Sequence, residues 1–219
     1  MASGRPDDSN TPSPRLYLVT PALDDSRALT AALPEIFGAA QFAALLLRLA
    51  PSDERTQINR IKAIAPIVQK AETALILDGL PELVAKSGAD GAHLSGVDEF
   101  LEAVEHLKPD WIAGAGGLFT RHDAMLAAEK NADYVMFGEP NERGHRQPFD
   151  DILDRVSWWA EVFQIPCVAY AAQLDEVAPL ASAGADFIAL GDFVFSDPAR
   201  IAANVAAAVQ QLANADAVA

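Results

Sequence analysis

The sequence contains a single cysteine, Cys167, among 219 residues, so no disulfide can form within the chain. Such scarcity is typical of a reducing compartment, and we expect a cytoplasmic location. Basic residues are also few: 16 Lys and Arg stand against 31 Asp and Glu, which gives a formal net charge of −15. An acidic surface repels nucleic acid and anionic lipid, so neither a nucleic acid nor a membrane is expected as a partner.

Several other signals are absent from the sequence. No apolar run reaches membrane-spanning length, and residues 1–13 lack the apolar core of a signal peptide. The four histidines show no zinc-site spacing, and no serine or cysteine occupies a nucleophile elbow. After the first apolar run comes Thr20-Pro21-Ala22-Leu23, where a doubly wound open sheet would need a glycine-rich phosphate turn. That fold is therefore disfavoured.

What the sequence does contain is a repeat. A small residue, an Ala-Asp pair and a short apolar run recur at Gly88-Ala89-Asp90, Asn131-Ala132-Asp133 and Gly184-Ala185-Asp186. The copies are 43 and 53 residues apart, which leaves room each time for two strand-helix units. A helix end, a tight turn and a buried parallel strand form the repeating unit of a (β/α) barrel.

The order of apolar runs and helical segments extends this unit to the whole chain. Predicted strands are Leu16–Val19, Phe42–Leu47, Ala74–Leu77, Ala92–Leu94, Trp111–Ala113, Tyr134–Phe137, Pro166–Tyr170 and Phe187–Leu190. Helical segments alternate with them, from Asp24–Leu33 to Pro198–Leu212, and no linker interrupts the order. The strands are continuous apolar runs, as expected for strands buried on both faces. We predict a disordered tail over residues 1–14 and one α/β domain over residues 15–219, a (β/α)8 TIM barrel.

A barrel of this kind places its chemistry where the strands end, and three charged residues stand there. Arg48 follows the second strand, Asp78 the third, and Asp98 lies shortly after the fourth. Two carboxylates at one mouth are able to share a magnesium ion, and an arginine suits an anionic ligand. Each has a structural alternative: either aspartate as a helix-start acid, and Arg48 as the partner of a neighbouring acid.

Three blocks of the chain resemble thiamine phosphate synthase and its relative, the thiazole tautomerase. They are Leu16–Thr20, the stretch from Asp78 through Ala89-Asp90-Gly91-Ala92-His93-Leu94 to Asp98, and Gly184–Ala189. The resemblance covers about residues 15–200 in order, and it implies the same barrel. In the synthase, an aminopyrimidine diphosphate loses pyrophosphate with the help of magnesium, and the nitrogen of a thiazole phosphate attacks the pyrimidine methylene.

The resemblance also implies roles for individual residues. Asp78 and Asp98 match the two magnesium aspartates, and Arg48 matches the arginine of the second strand. Arg146 is the one stand-in for a lysine that ends the loop after the sixth strand, so Arg48 and Arg146 are the expected catalytic cations. The ligand-binding positions are His93, Gly116, Gly138, Ala171, Gly191 and Asp192.

The chain departs from the family at the same strand ends. The second strand ends in Leu46–Ala50 without the family's Gln, Glu and Lys, and Ala171-Ala172 replaces two phosphate-binding glycines. Asp192 puts a negative charge where a thiazole phosphate would sit, which disfavours that ligand.

Two functions follow from these matches and departures. One is a synthase-like barrel with a degenerate site and weak or no synthase activity. The other is an active, pyrophosphate-releasing transferase that uses magnesium. In either, the expected small-molecule partner is a phosphorylated heterocycle. A homodimer is one of the assemblies open to this chain.

Overall fold

The apolar runs form eight parallel strands in the computed structural model, which describes residues 13–141 and 143–216. The strands pair in chain order, and β8 pairs with β1 to close the barrel. Their bounds are β1 Arg15–Val19, β2 Phe42–Leu47, β3 Ala74–Asp78, β4 Gly91–Ser95, β5 Ile112–Gly116, β6 Tyr134–Phe137, β7 Cys167–Ala171 and β8 Phe187–Leu190. The predicted fold is confirmed.

Helices follow the strands around the outside. They are α1 Arg27–Ala39, α2 Glu54–Lys70, α3 Val84–Ser87, α4 Val97–Leu107, α5 Arg121–Glu129, α6 Phe149–Val162, α7 Val177–Ser182 and α8 Ile201–Asp216. Short 3-10 turns precede α3 and α7, and another follows β8. Among the described helices, none is long and apolar enough to cross a membrane. The predicted tail lies outside the described residues, apart from Ser13 and Pro14.

The repeated Ala-Asp pair has a structural reason. The Asp90 carboxylate accepts a hydrogen bond from the Leu75 amide at 2.7 Å, and so ties the start of β4 to the start of β3. Asp133 makes the same 2.7 Å bond to the Ala113 amide. The Asp186 carboxylate accepts the corresponding hydrogen bond from the Cys167 amide at 2.8 Å. The repeat therefore joins β3 to β4, β5 to β6 and β7 to β8 at the amino-terminal end of the barrel.

Alternation along the strands divides the core into two layers. One set of side chains packs between strands and helices; the other fills the barrel interior and includes Tyr17, Leu46, Ile76, Tyr134 and Tyr170. Because side chains alternate every residue, the positions two beyond the last interior residue of a strand also face the barrel axis at the mouth. Arg48 follows Leu46 by two residues, and Asp78 follows Ile76 by two.

Several element bounds differ from the sequence prediction, those of β5 and α1 among them. The fifth strand runs to Gly116 rather than Ala113, so three residues expected in a loop belong to β5. The side chain of Tyr134 fills the space above Gly114, and those of His93 and Glu139 fill the space above Gly116. A strand is therefore able to continue here without apolar side chains of its own. The first helix extends to Ala39 and contains Pro34, where the prediction ended it at Leu33.

The adjacent tryptophans of α6 pack into the apolar layer around the barrel. Trp159 is fully buried and donates a 2.7 Å hydrogen bond to the Ile165 carbonyl. Trp158 is partly buried, with the Arg121 guanidinium 4.6 Å from its ring centroid.

Gly114 is required by the ring that covers it. A Cβ at this position would lie 2.1 Å from Cζ of Tyr134 and 2.3 Å from its hydroxyl oxygen. We expect Gly114→Ala to lower the free energy of unfolding by about 1–3 kcal/mol, because a buried ring must move. Gly38→Ala is the control: nothing lies within 4 Å of its added Cβ, so this helix position should lose no stability. Urea denaturation of both variants measures the difference; equal stabilities would contradict the packing argument.

Candidate functional site

An arginine and an aspartate meet at the carboxyl-terminal mouth of the barrel. Arg48 Nε donates to Asp78 Oδ2 at 3.0 Å, and both side chains are about one-fifth to one-quarter exposed. The Arg48 amide donates to Thr20 Oγ1 at 3.0 Å, which fixes the turn after β2. Burial lowers the pKa of Arg48, but Asp78, Tyr170 and Glu139 outweigh this effect and raise the pKa above its ordinary value. The guanidinium is therefore permanently charged and held by a carboxylate.

Behind this pair lies a buried histidine-glutamate pair. His93 of β4 is fully buried, and its Nε2 is 3.2 Å from Glu139 Oε2. The Glu139 carboxylate also accepts a 2.6 Å hydrogen bond from the Gly117 amide and lies 3.9 Å from Arg48 Nη2. Burial raises the pKa of Glu139, but the charge of His93, together with Arg48 and the Gly117 amide, lowers it overall. Glu139 is thus held ionised inside the protein.

The same pairing acts on the histidine. Burial lowers the pKa of His93, but the Glu139 carboxylate more than offsets this, so the pKa lies above its ordinary value. The two directions agree: in this enclosed site, each partner favours the charged form of the other.

Two tyrosines continue this chain into the barrel. His93 Nδ1 is 3.0 Å from the Tyr134 hydroxyl, and that hydroxyl is 2.9 Å from the Tyr17 hydroxyl. Burial raises the pKa of both phenols, so both stay protonated. A continuous polar chain thus runs from β1 through β6 and β4 to Glu139.

A second carboxylate holds the other predicted cation. Arg146 Nη1 and Nη2 donate to the two oxygens of Glu176 at 2.7 and 2.9 Å. Arg146 also donates to the Gly138 carbonyl at 2.6 Å and the Tyr170 carbonyl at 2.9 Å. Four of its five N–H groups are therefore engaged. Glu176 in addition accepts a 2.7 Å bond from the Ala172 amide.

The turn after β8 faces a phenol. A Cβ on Gly191 would lie 2.3 Å from the Tyr170 hydroxyl oxygen, so that hydroxyl rests against the glycine. Burial raises the pKa of Tyr170, and the charge of Asp192 raises it further.

The remaining predicted residues are not all gathered at the mouth. Gly116 is covered by the pair, since an added Cβ would lie 1.9 Å from Glu139 Oε1 and 2.3 Å from His93 Nε2. Gly138 has φ of +89° in the turn after β6, where Arg146 binds its carbonyl. The side chain of Ala171 packs in the outer core, so only its backbone is able to serve a ligand.

The residues present do not form a ready magnesium site. Asp78 is already paired with Arg48, and Asp98 is exposed in the first turn of α4. Among the described residues, no group of three or more His, Cys, Asp or Glu side chains is placed to hold a metal ion. Magnesium needs only one or two carboxylates when a diphosphate completes its shell, so its binding here stays a prediction that depends on ligand.

Sequence reasoning missed the two glutamates that organise the site. Glu139 lies at the start of the irregular loop after β6. Its position close to the end of that strand is the sequence feature that could have indicated a site residue. Glu176 lies in the 3-10 turn before α7 and had no signal, because the arginine that it binds, Arg146, is 30 residues away in the sequence. Cys167 offers no nucleophile, since burial raises the pKa of its thiol to about 12.

Comparison with known proteins agrees with this architecture. The family model of thiamine monophosphate synthase matches residues 16–214. The thiamine-phosphate synthase of Rhodospirillum centenum is 37% identical over 195 residues, 88% of this chain and 94% of that protein. The thiamine-phosphate synthase of Hyphomonas neptunium is 33% identical over 193 residues, 84% of this chain and 87% of that protein.

Solved structures of more distant sequence share the fold. Thiamine phosphate pyrophosphorylase from Pyrococcus furiosus has a TM-score of 0.74 at 20% identity, covering 92% of this chain and 96% of that one. The (S)-3-O-geranylgeranylglyceryl phosphate synthase from Thermoplasma acidophilum has a TM-score of 0.67 at 15% identity, covering 91% and 93%.

The buried pair predicts a measurable titration. In Glu139→Gln the burial of His93 is no longer offset by a carboxylate, so the pKa of His93 should fall below about 6.5, its ordinary value. In the wild type this pKa is raised. The stability from the charged pair is therefore complete between about pH 4.3, the ordinary pKa of a glutamate, and about pH 6.5. It is lost as pH rises through the raised pKa of His93 and as pH falls through the lowered pKa of Glu139.

Imidazole NMR measures the pKa of His93 directly, and urea denaturation across pH measures the stability. Glu105→Gln, on the exposed face of α4, is the matched control and should leave both unchanged. An unaltered His93 pKa in Glu139→Gln would refute the pairing.

Proposed function

The chain belongs to the thiamine monophosphate synthase family, and on that premise we propose that it is a member in which the synthase reaction is weak or absent. The reaction in question is the transfer in which an aminopyrimidine diphosphate releases pyrophosphate and is joined to a thiazole phosphate. A phosphorylated heterocycle remains the ligand class that the family implies.

One observation carries the proposal: the anion-binding groups of the mouth are bonded to the chain's own oxygens. Arg48 is paired with Asp78 and Arg146 with Glu176. The Ala172 amide is bonded to Glu176 as well. A diphosphate would have to displace these partners before it could bind the guanidinium of Arg48 or Arg146.

The balance of charge supports the same conclusion. Two arginines and His93 share this region with the carboxylates of Asp78, Glu139, Glu176 and Asp192. Pyrophosphate departure develops negative charge, and the loss of one preorganised donor costs roughly a hundredfold or more in rate. With both arginines neutralised, little turnover is expected.

An active synthase is the second candidate, and relatives of 33–37% identity that bear that name favour it. In that case Asp78 would release Arg48 to the diphosphate and, with Asp98, take part in binding magnesium. A homodimer and a cytoplasmic location stay predictions under either candidate.

A direct assay separates the two candidates. Purified protein is incubated with the aminopyrimidine diphosphate, the thiazole phosphate and magnesium, and thiamine phosphate is quantified by oxidation to its fluorescent thiochrome. The R. centenum synthase serves as the reference. We expect a rate at least about a hundredfold below the reference. A comparable rate would overturn the proposal and establish the alternative.

Glu176 provides a second test, on binding instead of turnover. Glu176→Gln removes the charge from the carboxylate that occupies Arg146 and the Ala172 amide, while keeping a similar shape. We expect the affinity for pyrophosphate, measured by calorimetry, to rise by about tenfold, since a charge-assisted pair is replaced by a weaker neutral one. Glu161→Gln removes the same charge from an exposed position of α6 and should have no such effect. Equal affinities in the two variants would contradict the role given to Glu176.

A further inference from the structure

The Tyr170 side chain crosses from β7 to the turn after β8. Its ring belongs to the layer that fills the barrel interior, and the residue is 2% exposed. Gly191 follows the interior residue Ala189 by two positions, so a side chain at Gly191 would point toward the barrel axis at the mouth. A Cβ there would lie 2.3 Å from the Tyr170 hydroxyl oxygen and 2.5 Å from Cζ. The phenol therefore occupies the space that this turn presents to the mouth.

This space is one in which barrels of the same fold frequently bind phosphate. Such phosphate sites are built from the loops after strands 7 and 8 and the start of a short additional helix. Here the loop after β7 begins at Ala172, whose amide is bonded to Glu176. The 3-10 turn Asp192–Phe195 begins directly after Gly191. Since not even a single carbon fits over Gly191, a phosphate group does not fit there while the ring is in place.

The backbone that carries the ring is fixed on two sides. Tyr170 pairs in register with Ala189 of β8, and Arg146 Nη2 donates a 2.9 Å hydrogen bond to the Tyr170 carbonyl. Withdrawal of a ring so deeply buried would also leave a cavity in the interior layer, which is destabilising. Movement of Tyr170 to admit a phosphate is therefore unfavourable.

The polar groups at this end of the mouth suit a hydroxyl better than a phosphate. Burial raises the pKa of Tyr170, and the charge of Asp192 raises it further, against the opposing charge of Arg48. The phenol therefore stays neutral, and its hydroxyl is able to donate one hydrogen bond and accept up to two. The exposed Asp192 carboxylate accepts hydrogen bonds and repels an anion. A ligand hydroxyl is able to donate to the carboxylate and brings no charge of its own.

We propose that Tyr170 is a specificity-determining residue: its ring fills the phosphate position after β8, so that the mouth takes a heterocycle with a neutral hydroxyl group where the family's ligand class carries a phosphate. The inference rests on the proposed function in taking the mouth as the ligand site. It goes further because it assigns the exclusion of phosphate to the volume of one side chain, separately from the pairing of the arginines.

The test compares two probes that differ at one group, the thiazole phosphate and the corresponding thiazole alcohol. Calorimetry measures the binding of each to the full chain. We expect the wild type to bind the alcohol at least about tenfold more tightly than the phosphate, because an overfilled site rejects the larger group. A wild type that binds neither probe, or that binds the phosphate as tightly as the alcohol, would overturn the proposal.

Three variants separate volume from charge. Tyr170→Leu shortens the side chain and should raise the affinity for the thiazole phosphate by about tenfold, since it opens the space over Gly191. Tyr170→Phe is the matched control: it keeps Cζ, 2.5 Å from the added Cβ, and should bind the phosphate as weakly as the wild type. Asp192→Asn removes the charge but keeps the ring, so it should raise the phosphate affinity less than Tyr170→Leu does.

The outcomes distinguish this inference from the proposed function. Restored phosphate binding in Asp192→Asn but not in Tyr170→Leu would show that charge excludes the phosphate, and would overturn the role of the ring. The thiamine phosphate assay of the wild type is independent of this result, so the proposed function would stand. If Tyr170→Leu does not fold, the preference of the wild type and the response of Asp192→Asn still decide: full restoration by Asp192→Asn refutes the inference.

Discussion

The buried His93–Glu139 ion pair is the interaction on which the interior of this barrel depends. Taking two charges out of water costs several kcal/mol for each, and the cost is recovered only when every polar atom is partnered. Glu139 meets this with His93, Arg48 and the Gly117 amide. These partners come from β4, the end of β2 and the turn after β5. One carboxylate therefore sets the relative positions of three strand ends.

The glycines of β5 follow from the same constraint. The carboxylate and imidazole lie directly over Gly116, and the Tyr134 ring that continues the chain lies over Gly114. Any side chain at either place would occupy the volume of the pair or of the tyrosine. These glycines therefore belong to a strand that is kept free of side chains so that larger neighbours fit.

This distinction shows what the sequence was able to predict. The barrel was predictable because its signals are local: apolar runs bounded by turns, and an aspartate that ties each even-numbered strand, from β4 to β8, to its neighbour. The positions of Arg48 and Asp78 at the mouth followed from alternation along their strands. The partners of those residues did not, because Glu139 binds His93 across 46 residues and Glu176 binds Arg146 across 30. Such pairings depend on how strand ends are brought together in space.

Glu139 and Glu176 have the same kinds of partner at two places in the barrel. Glu139 binds a cationic side chain and the Gly117 amide; Glu176 binds Arg146 and the Ala172 amide. A cation together with a backbone N–H is what a barrel mouth offers to a phosphate. Here each cation and its neighbouring backbone N–H are already bonded to a carboxylate of the same chain. Because this carboxylate is part of the folded chain, it loses no translational freedom when it binds them. An external anion must compete with it and leave a buried carboxylate without its partners. On the proposed function, the charges of the mouth stabilise the fold in the positions where, in a phosphate-binding barrel, they would hold the ligand.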